Sequence, residues 1–211
     1  MVTHRLARLS SGFIPGPAEA LCLDFANTRY WRGTATPTEE LNGPEDLLRW
    51  AEAAKVVDPA MLAAIRAAWD AAPAEAAAGF GTALALREAI FRGFASLAGG
   101  GAPSAEDLGT LDAALQAAPC RSRLGHAPAG WVWQVAAGQA PQALLLAAVL
   151  WSAADLLVGA RLARVRQCAN DQCRWLFLDD SKSANRRWCS MSSCGNRAKA
   201  HRHYARAKQA P

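Results

Sequence analysis

Apolar residues recur at three- and four-residue spacing through most of the first 120 positions, which is the periodicity of amphipathic helices. Leu47, Leu48, Trp50 and Ala51 follow Pro44, where a helix can start, with Glu45 and Asp46 in its first turn. Met61, Leu62, Ile65 and Trp69 define a second helix from Pro59 to Ala71. Leu84, Leu86, Ile90, Phe91 and Phe94 define a third, predicted over Gly81 to Leu97 and ended by Gly99, Gly100 and Gly101. Ser104 then caps a helix carrying Leu108, Leu111 and Leu115, with Asp107 at the reciprocal capping position. Ahead of these, Leu6 to Ile14 reads as extended and Leu21 to Thr28 as a short helix.

The pattern changes twice. Between Arg121 and Ala136 it alternates, most clearly in Trp131-Val132-Trp133-Gln134-Val135, behind turn residues Gly125, Pro128 and Gly130. That predicts a β-hairpin. From Gln142 to Ala160 it becomes almost continuously apolar, and Pro141 is expected to open a long helix reaching about Val165. The run approaches the ~20 residues of a membrane span. Trp151, Ser152 and Asp155 interrupt it, so a buried core helix is expected and no membrane partner. The fold class predicted is α+β: a mostly helical N-terminal domain with a small β-hairpin over residues 1–160, then a compact module over residues 161–211.

Composition separates these two parts. With 52% hydrophobic residues the chain can bury a core, and its abundant alanine favours helix. Residues 161–211 hold twelve Lys and Arg against three acidic residues, whereas residues 1–160 hold eleven against fifteen. A basic module on a mildly acidic body suits a polyanionic partner.

The basic module carries two cysteine pairs of identical spacing, Cys168-x4-Cys173 and Cys189-x4-Cys194, fifteen residues apart. Two thiolate pairs so placed are what a tetrahedral Zn²⁺ needs. With four cysteines and no open position the metal, one per chain, is expected to be structural. So small a module needs such a staple, because zinc binding in finger peptides is worth about 10–16 kcal/mol. Trp175 and Phe177 alternate like a strand, Asp179-Asp180-Ser181 reads as a turn, and Arg186-Arg187-Trp188 as the returning arm. Cys194 is expected in the first turn of a terminal helix. Trp175 and Trp188 read as core, with base stacking as the alternative. Metal-ligand spacing, and the lack of an apolar leader, point to a reducing, cytoplasmic setting.

On a helix starting near Ser192, Arg197, His201, Tyr204 and Lys208 share one face, and Lys199, Arg202 and Arg206 another. No acidic residue offsets them from Cys194 to Pro211. Together with Arg186 and Arg187 these are the candidate nucleic-acid contacts. Arg197 is the candidate for a directed contact, with a structural role as the alternative for it and Asn196. In the first domain Asp24, Asn27, Thr28, Arg29 and Trp31 form the densest polar group, either a pocket for a small-molecule effector or internal hydrogen bonding. The chain has no metalloprotease, P-loop, nucleophile-elbow or dinucleotide motif, so enzymatic activity is not expected.

The run Cys189-Ser190-Met191-Ser192-Ser193-Cys194-Gly195-Asn196-Arg197, preceded by Cys168-x4-Cys173 and Arg174-Trp175-Leu176-Phe177, resembles the CGNR-type zinc finger. Leu21 to Thr28, followed by Leu47, Leu48 and Trp50, is similar to the ABATE domain that precedes that finger. The resemblance spans essentially the whole chain. It implies a stress-induced transcription regulator with a treble-clef finger whose zinc is bound by Cys168, Cys173, Cys189 and Cys194. DNA is the expected partner. RNA, or an acidic protein surface, is the alternative, and a homodimer is compatible although no heptad repeat supports one.

Overall fold

The computed structural model describes residues 12–15, 20–127 and 130–200. Strand β1 (Gly12–Pro15) leads to α1 (Leu21–Ala26), then to the two-residue strands β2 (Arg29–Tyr30) and β3 (Thr38–Glu39). Helices α2 (Pro44–Ala53), α3 (Pro59–Ala71), α4 (Pro73–Ala98) and α5 (Ala105–Ala117) follow. The hairpin β4 (Arg123–Ala127) and β5 (Gly130–Val135) precedes α6 (Pro141–Val158). A 3₁₀ turn (Ala160–Arg164), β6 (Val165–Gln167), β7 (Leu176–Leu178), a π-turn (Met191–Gly195) and a helix over residues 196–200 complete the described residues.

The caps explain most helix starts. Pro44, Pro59, Pro73 and Pro141 occupy first-turn positions, where a missing N–H costs nothing. The Asp58 carboxylate accepts the Met61 N–H, and the Ser104 hydroxyl accepts that of Asp107. Two predicted boundaries move. Helix α4 begins at Pro73, not Gly81, because the alanine-rich stretch carries it through Gly79 and Gly81. Helix α6 ends at Val158 and not near Val165, because the chain turns extended at Gly159.

Helix α6 is the centre of the body. Its apolar residues from Leu144 to Leu150 are all buried. It is long and apolar enough to cross a membrane, yet 72% of the span is buried inside the fold, as expected for a core helix. Helix α1 lies against both α4 and α6, and the Cys22 N–H donates to the Ser152 hydroxyl at 3.1 Å. The polar interruption at Asp155 is exposed and pairs with Arg121 through two hydrogen bonds of 2.6 and 2.7 Å. The predicted hairpin is present and joins β1 in an antiparallel sheet of order β1-β5-β4. The predicted extended segment before Gly12 lies outside the described residues.

A buried ion-pair network fixes the β2–β3 ribbon to α4. The Arg87 guanidinium, 2% exposed, donates to both Glu39 carboxylate oxygens at 2.5 and 2.7 Å and to Glu88 at 3.0 Å. Arg32 also grips Glu88 through two hydrogen bonds, 2.7 and 3.1 Å. Although burial opposes it, these arginines hold the Glu88 carboxyl below its ordinary value. The ribbon is thereby fixed in place beside the metal module.

Candidate metal centre and nucleic-acid interface

Strands β6 and β7 pair antiparallel, with Val165 opposite Leu178, Arg166 opposite Phe177 and Gln167 opposite Leu176. The partner of β7 is therefore β6, not the arm 186–188 that the sequence pattern pointed to. Val165, Leu176 and Leu178 are all buried in the main core, and that burial selects the pairing. Arm 186–188 instead crosses the first cysteine loop, with the Ala169 N–H bonded to the Arg187 carbonyl at 2.9 Å.

The first cysteine pair sits in the loop between β6 and β7. Asn170 closes it, its carbonyl accepting the Cys173 and Arg174 N–H groups at 2.8 and 3.1 Å. Arg174 leaves the loop with φ of 56°. The second pair ends in the π-turn, where the Gly195 N–H reaches the Ser190 carbonyl at 3.0 Å. Cys194 thus belongs to this wide turn, two residues before the helix at 196–200, and not to the first turn of that helix.

All four sulfurs lie within 4.8 Å of one another, with Cys173–Cys189 at 3.7 Å and Cys189–Cys194 at 3.9 Å. Zn–S bonds of ~2.3 Å in a tetrahedron put the sulfurs about 3.8 Å apart, so the cluster fits. Burial pushes the Cys173 thiol up to about 12 and raises Cys189 too, with the Cys168 sulfur adding to both shifts. For Cys194 burial is outweighed by hydrogen bonds, led by that from the Asn170 amide at 3.5 Å, and the thiol is lowered. Four such sulfurs crowded together call for a cation, and a dication stabilises them as thiolates. The centre holds one structural zinc. Its four donors leave no open coordination position.

Much of the module's basic charge braces the segment between β7 and Cys189. Arg164 donates to the Asp179 and Ser181 carbonyls at 3.2 and 3.0 Å. Arg166 spans to Ala184, and Arg161 pairs with Asp180. Arg186 lies 4.5 Å over the Phe177 ring and donates to the Trp188 and Cys189 carbonyls. Asp179 is fully buried and accepts from the Ser181 N–H and hydroxyl and from the Arg186 N–H. Those donors hold its carboxyl below the ordinary carboxylate value, the Ser181 hydroxyl contributing most.

The module is fastened to the body at three places. The Asn27 amide donates to the Leu176 carbonyl at 2.8 Å and accepts its N–H at 3.0 Å, as a neighbouring strand would. The Gly33 N–H bonds to the Gln172 carbonyl at 3.1 Å. A Cβ on Gly33 would fall 1.7 Å from the Asp171 carbonyl oxygen, so only glycine permits this approach. Trp31 packs on the cysteine cluster beside Trp175 and Trp188, and its ring carries the Arg197 guanidinium at 4.7 Å.

This geometry places the predicted site residues unequally. Arg187, Arg197 and Lys199 are exposed, and Arg187 lies 5.4 Å over the Trp188 ring. A cleft of about 640 Å³ has Arg187 and Arg197 among its lining, together with Asn170 and Gln172. His201, Arg202, Arg206 and Lys208, with Tyr204, lie outside the described residues. Asn196 reaches the Ser192 carbonyl at 3.5 Å. Of the first-domain group, Asp24 is exposed, Asn27 is taken up by Leu176, and Thr28 donates to the Phe25 carbonyl at 2.8 Å. Arg29 sits 4.0 Å from Glu88, and Trp31 faces the zinc module. Sequence reasoning missed Asp179 as an anchor and Arg87 as the buried cation. The signal available for Asp179 was an acidic residue inside an otherwise basic stretch.

A mostly helical body fused to a four-cysteine zinc centre is the class of protein these features define. A family model described as "ABATE: Putative stress-induced transcription regulator" matches residues 19–160, and the CGNR zinc finger model matches residues 164–207. The chain belongs to the ABATE family and carries a CGNR zinc finger behind that domain. Comparison with curated proteins gives no match.

Proposed function

We propose that the protein is a cytoplasmic, non-enzymatic transcription regulator that binds DNA through its zinc finger, read as treble-clef-like. The observation that carries this reading is the cleft beside the terminal helix, lined by Arg187 and Arg197. An arginine stacked on an aromatic face keeps its N–H groups free in the ring plane for phosphate or a base edge. Arg197 on Trp31 is so disposed. Zinc acts as scaffold here: it holds the turn that leads into the helix carrying Arg197, and it takes no part in chemistry.

Selection from randomised duplex DNA at physiological salt tests the reading. A preferred sequence is expected, with binding that weakens steeply as salt rises. Arg197→Ala should lower selectivity more than Lys199→Ala, which should weaken all sequences alike. Enrichment of no DNA sequence, with RNA recovered by crosslinking, would favour the RNA-binding alternative. An effector for the first domain, or a homodimer, belongs to the same proposal and is read by small-molecule shifts in DNA affinity and by solution mass.

A further inference from the structure

A second cleft, of about 360 Å³, opens beside the zinc centre and has a different character. Its walls include Tyr30 and Trp31 from the body and Trp175 from the finger, with Cys173, Cys189 and Cys194 also in its lining. All three aromatic residues are only half-buried. The Tyr30 and Trp175 rings stand 6.1 Å apart and tilted by 57°, so they do not close the space by stacking flat on one another. The volume falls in the range of small planar ligands, since such pockets run from about 300 Å³ upward.

Trp31 is held there against its backbone preference. Its φ of 53° is in the left-handed region, which a bulky residue enters only when its surroundings compel it. Its carbonyl accepts both the N–H and the hydroxyl of Thr34 at 3.0 and 2.7 Å, and the Gly33 bond to Gln172 pins the turn to the finger. The outcome is one indole that borders the aromatic cleft and also carries Arg197, a residue lining the cationic cleft. An aromatic slot adjoining a guanidinium is the pattern that receives a nucleotide: base on the rings, phosphate on the cation.

We propose that this cleft receives one unpaired nucleobase of the strand whose phosphates face Arg187 and Arg197. The inference rests on the nucleic-acid reading of the finger and adds a composite wall to it: two of the three rings come from the body. Ser190 and Ser193 also line the cleft, so polar residues border the aromatic walls. The site takes a base for its flat face, so little discrimination among bases is expected from stacking itself.

The test uses the full-length, zinc-loaded protein and two DNA duplexes of the selected sequence, one with a single bulged 2-aminopurine and one fully paired. Free adenosine is the third arm. The bulged duplex is expected to bind about tenfold tighter, with its 2-aminopurine fluorescence quenched on binding. Tyr30→Ala and Trp31→Ala should erase that preference, and Trp31→Phe should keep most of it, each retaining its zinc. If Trp31→Ala loses zinc, Tyr30→Ala and Trp31→Phe still decide the matter. Equal affinity for both duplexes, unchanged in Tyr30→Ala, overturns the base site and leaves DNA binding standing. Binding of neither duplex overturns both. Saturable adenosine binding lost in Tyr30→Ala, without a preference for the bulge, also overturns it, by assigning the cleft to a free nucleoside.

Discussion

The body and the finger of this protein solve the same problem with different means. Around α6 and α1 the body buries a continuous apolar cluster that includes Leu144, Leu145, Leu150, Phe25, Ile65 and Phe94. Among the described residues, the finger's own cluster holds only Phe177 and three cysteines, ringed by Trp31, Trp175, Trp188 and Cys189. One region is held by apolar area, and the other by a metal and by borrowed surface. Its strands show the borrowing most clearly: Leu176 and Leu178 point into the body core while Phe177, on the opposite face, lies against the thiolates. A finger built this way is positioned by the domain in front of it.

Removing the metal is the strongest way to break the comparison. Cys173→Ser should abolish stoichiometric zinc, with the loss of binding free energy that in finger peptides amounts to about 10–16 kcal/mol. Amide exchange should then open across residues 165–200, while α1 to α6 keep their protection because their core contains no metal ligand. Loss of helical protection throughout the body would show that the two regions are one cooperative unit.

The converse experiment acts on the body. Leu145 is fully buried in α6, and Leu145→Ala should cost about 2–5 kcal/mol, a fall in Tm on the order of 10 °C. Zinc stoichiometry should remain at one per chain below the transition. Zinc lost well below the melting of the body would mean that the finger depends on the core more tightly than on its metal.

What the sequence made legible divides along the same line. The helices announced themselves because proline starts, the Ser104 cap and three- and four-residue spacing are local signals, and the cysteine spacing specified the metal site. The long-range pairings were not legible. The sequence pattern puts Val165 at the end of the helix opened by Pro141, and only the turn at Gly159 shows that it belongs to a strand. Asn27 reaches Leu176 across 149 positions, and Arg87 finds Glu39 across 48. No local pattern encodes such partners. Asp179 reads as a turn residue, but its N–H bonds to the Arg164 carbonyl and its burial follows from the donors of Ser181 and Arg186 closing over it.

The seam between the regions can be loosened without touching either core. Asn27→Ala would leave the buried N–H and carbonyl of Leu176 without their partner, at a cost of about 2–4 kcal/mol. Zinc should still bind, but amides of β6 and β7 should exchange faster than those of α6. Uniformly faster exchange in both regions would instead mean that body and finger open as one cooperative unit.

The smallest effect is a pH dependence inside the finger. Asp179 is held below its ordinary value by donors from Ser181 and Arg186, so its carboxylate is favoured in the folded state. Its stabilising contribution is therefore fully present above the unfolded value of about 4 and is lost as pH falls through the lower folded value. Asp179→Asn removes that titration. The stability margin of the wild type over this variant should be constant above about pH 5 and shrink on further acidification, as read by denaturant unfolding of the zinc-loaded protein. Zinc release on acidification is common to both proteins and cancels in the difference. A margin that widened as pH fell would show that Asp179 is protonated in the folded finger, and the arginine-braced loop would need another anchor.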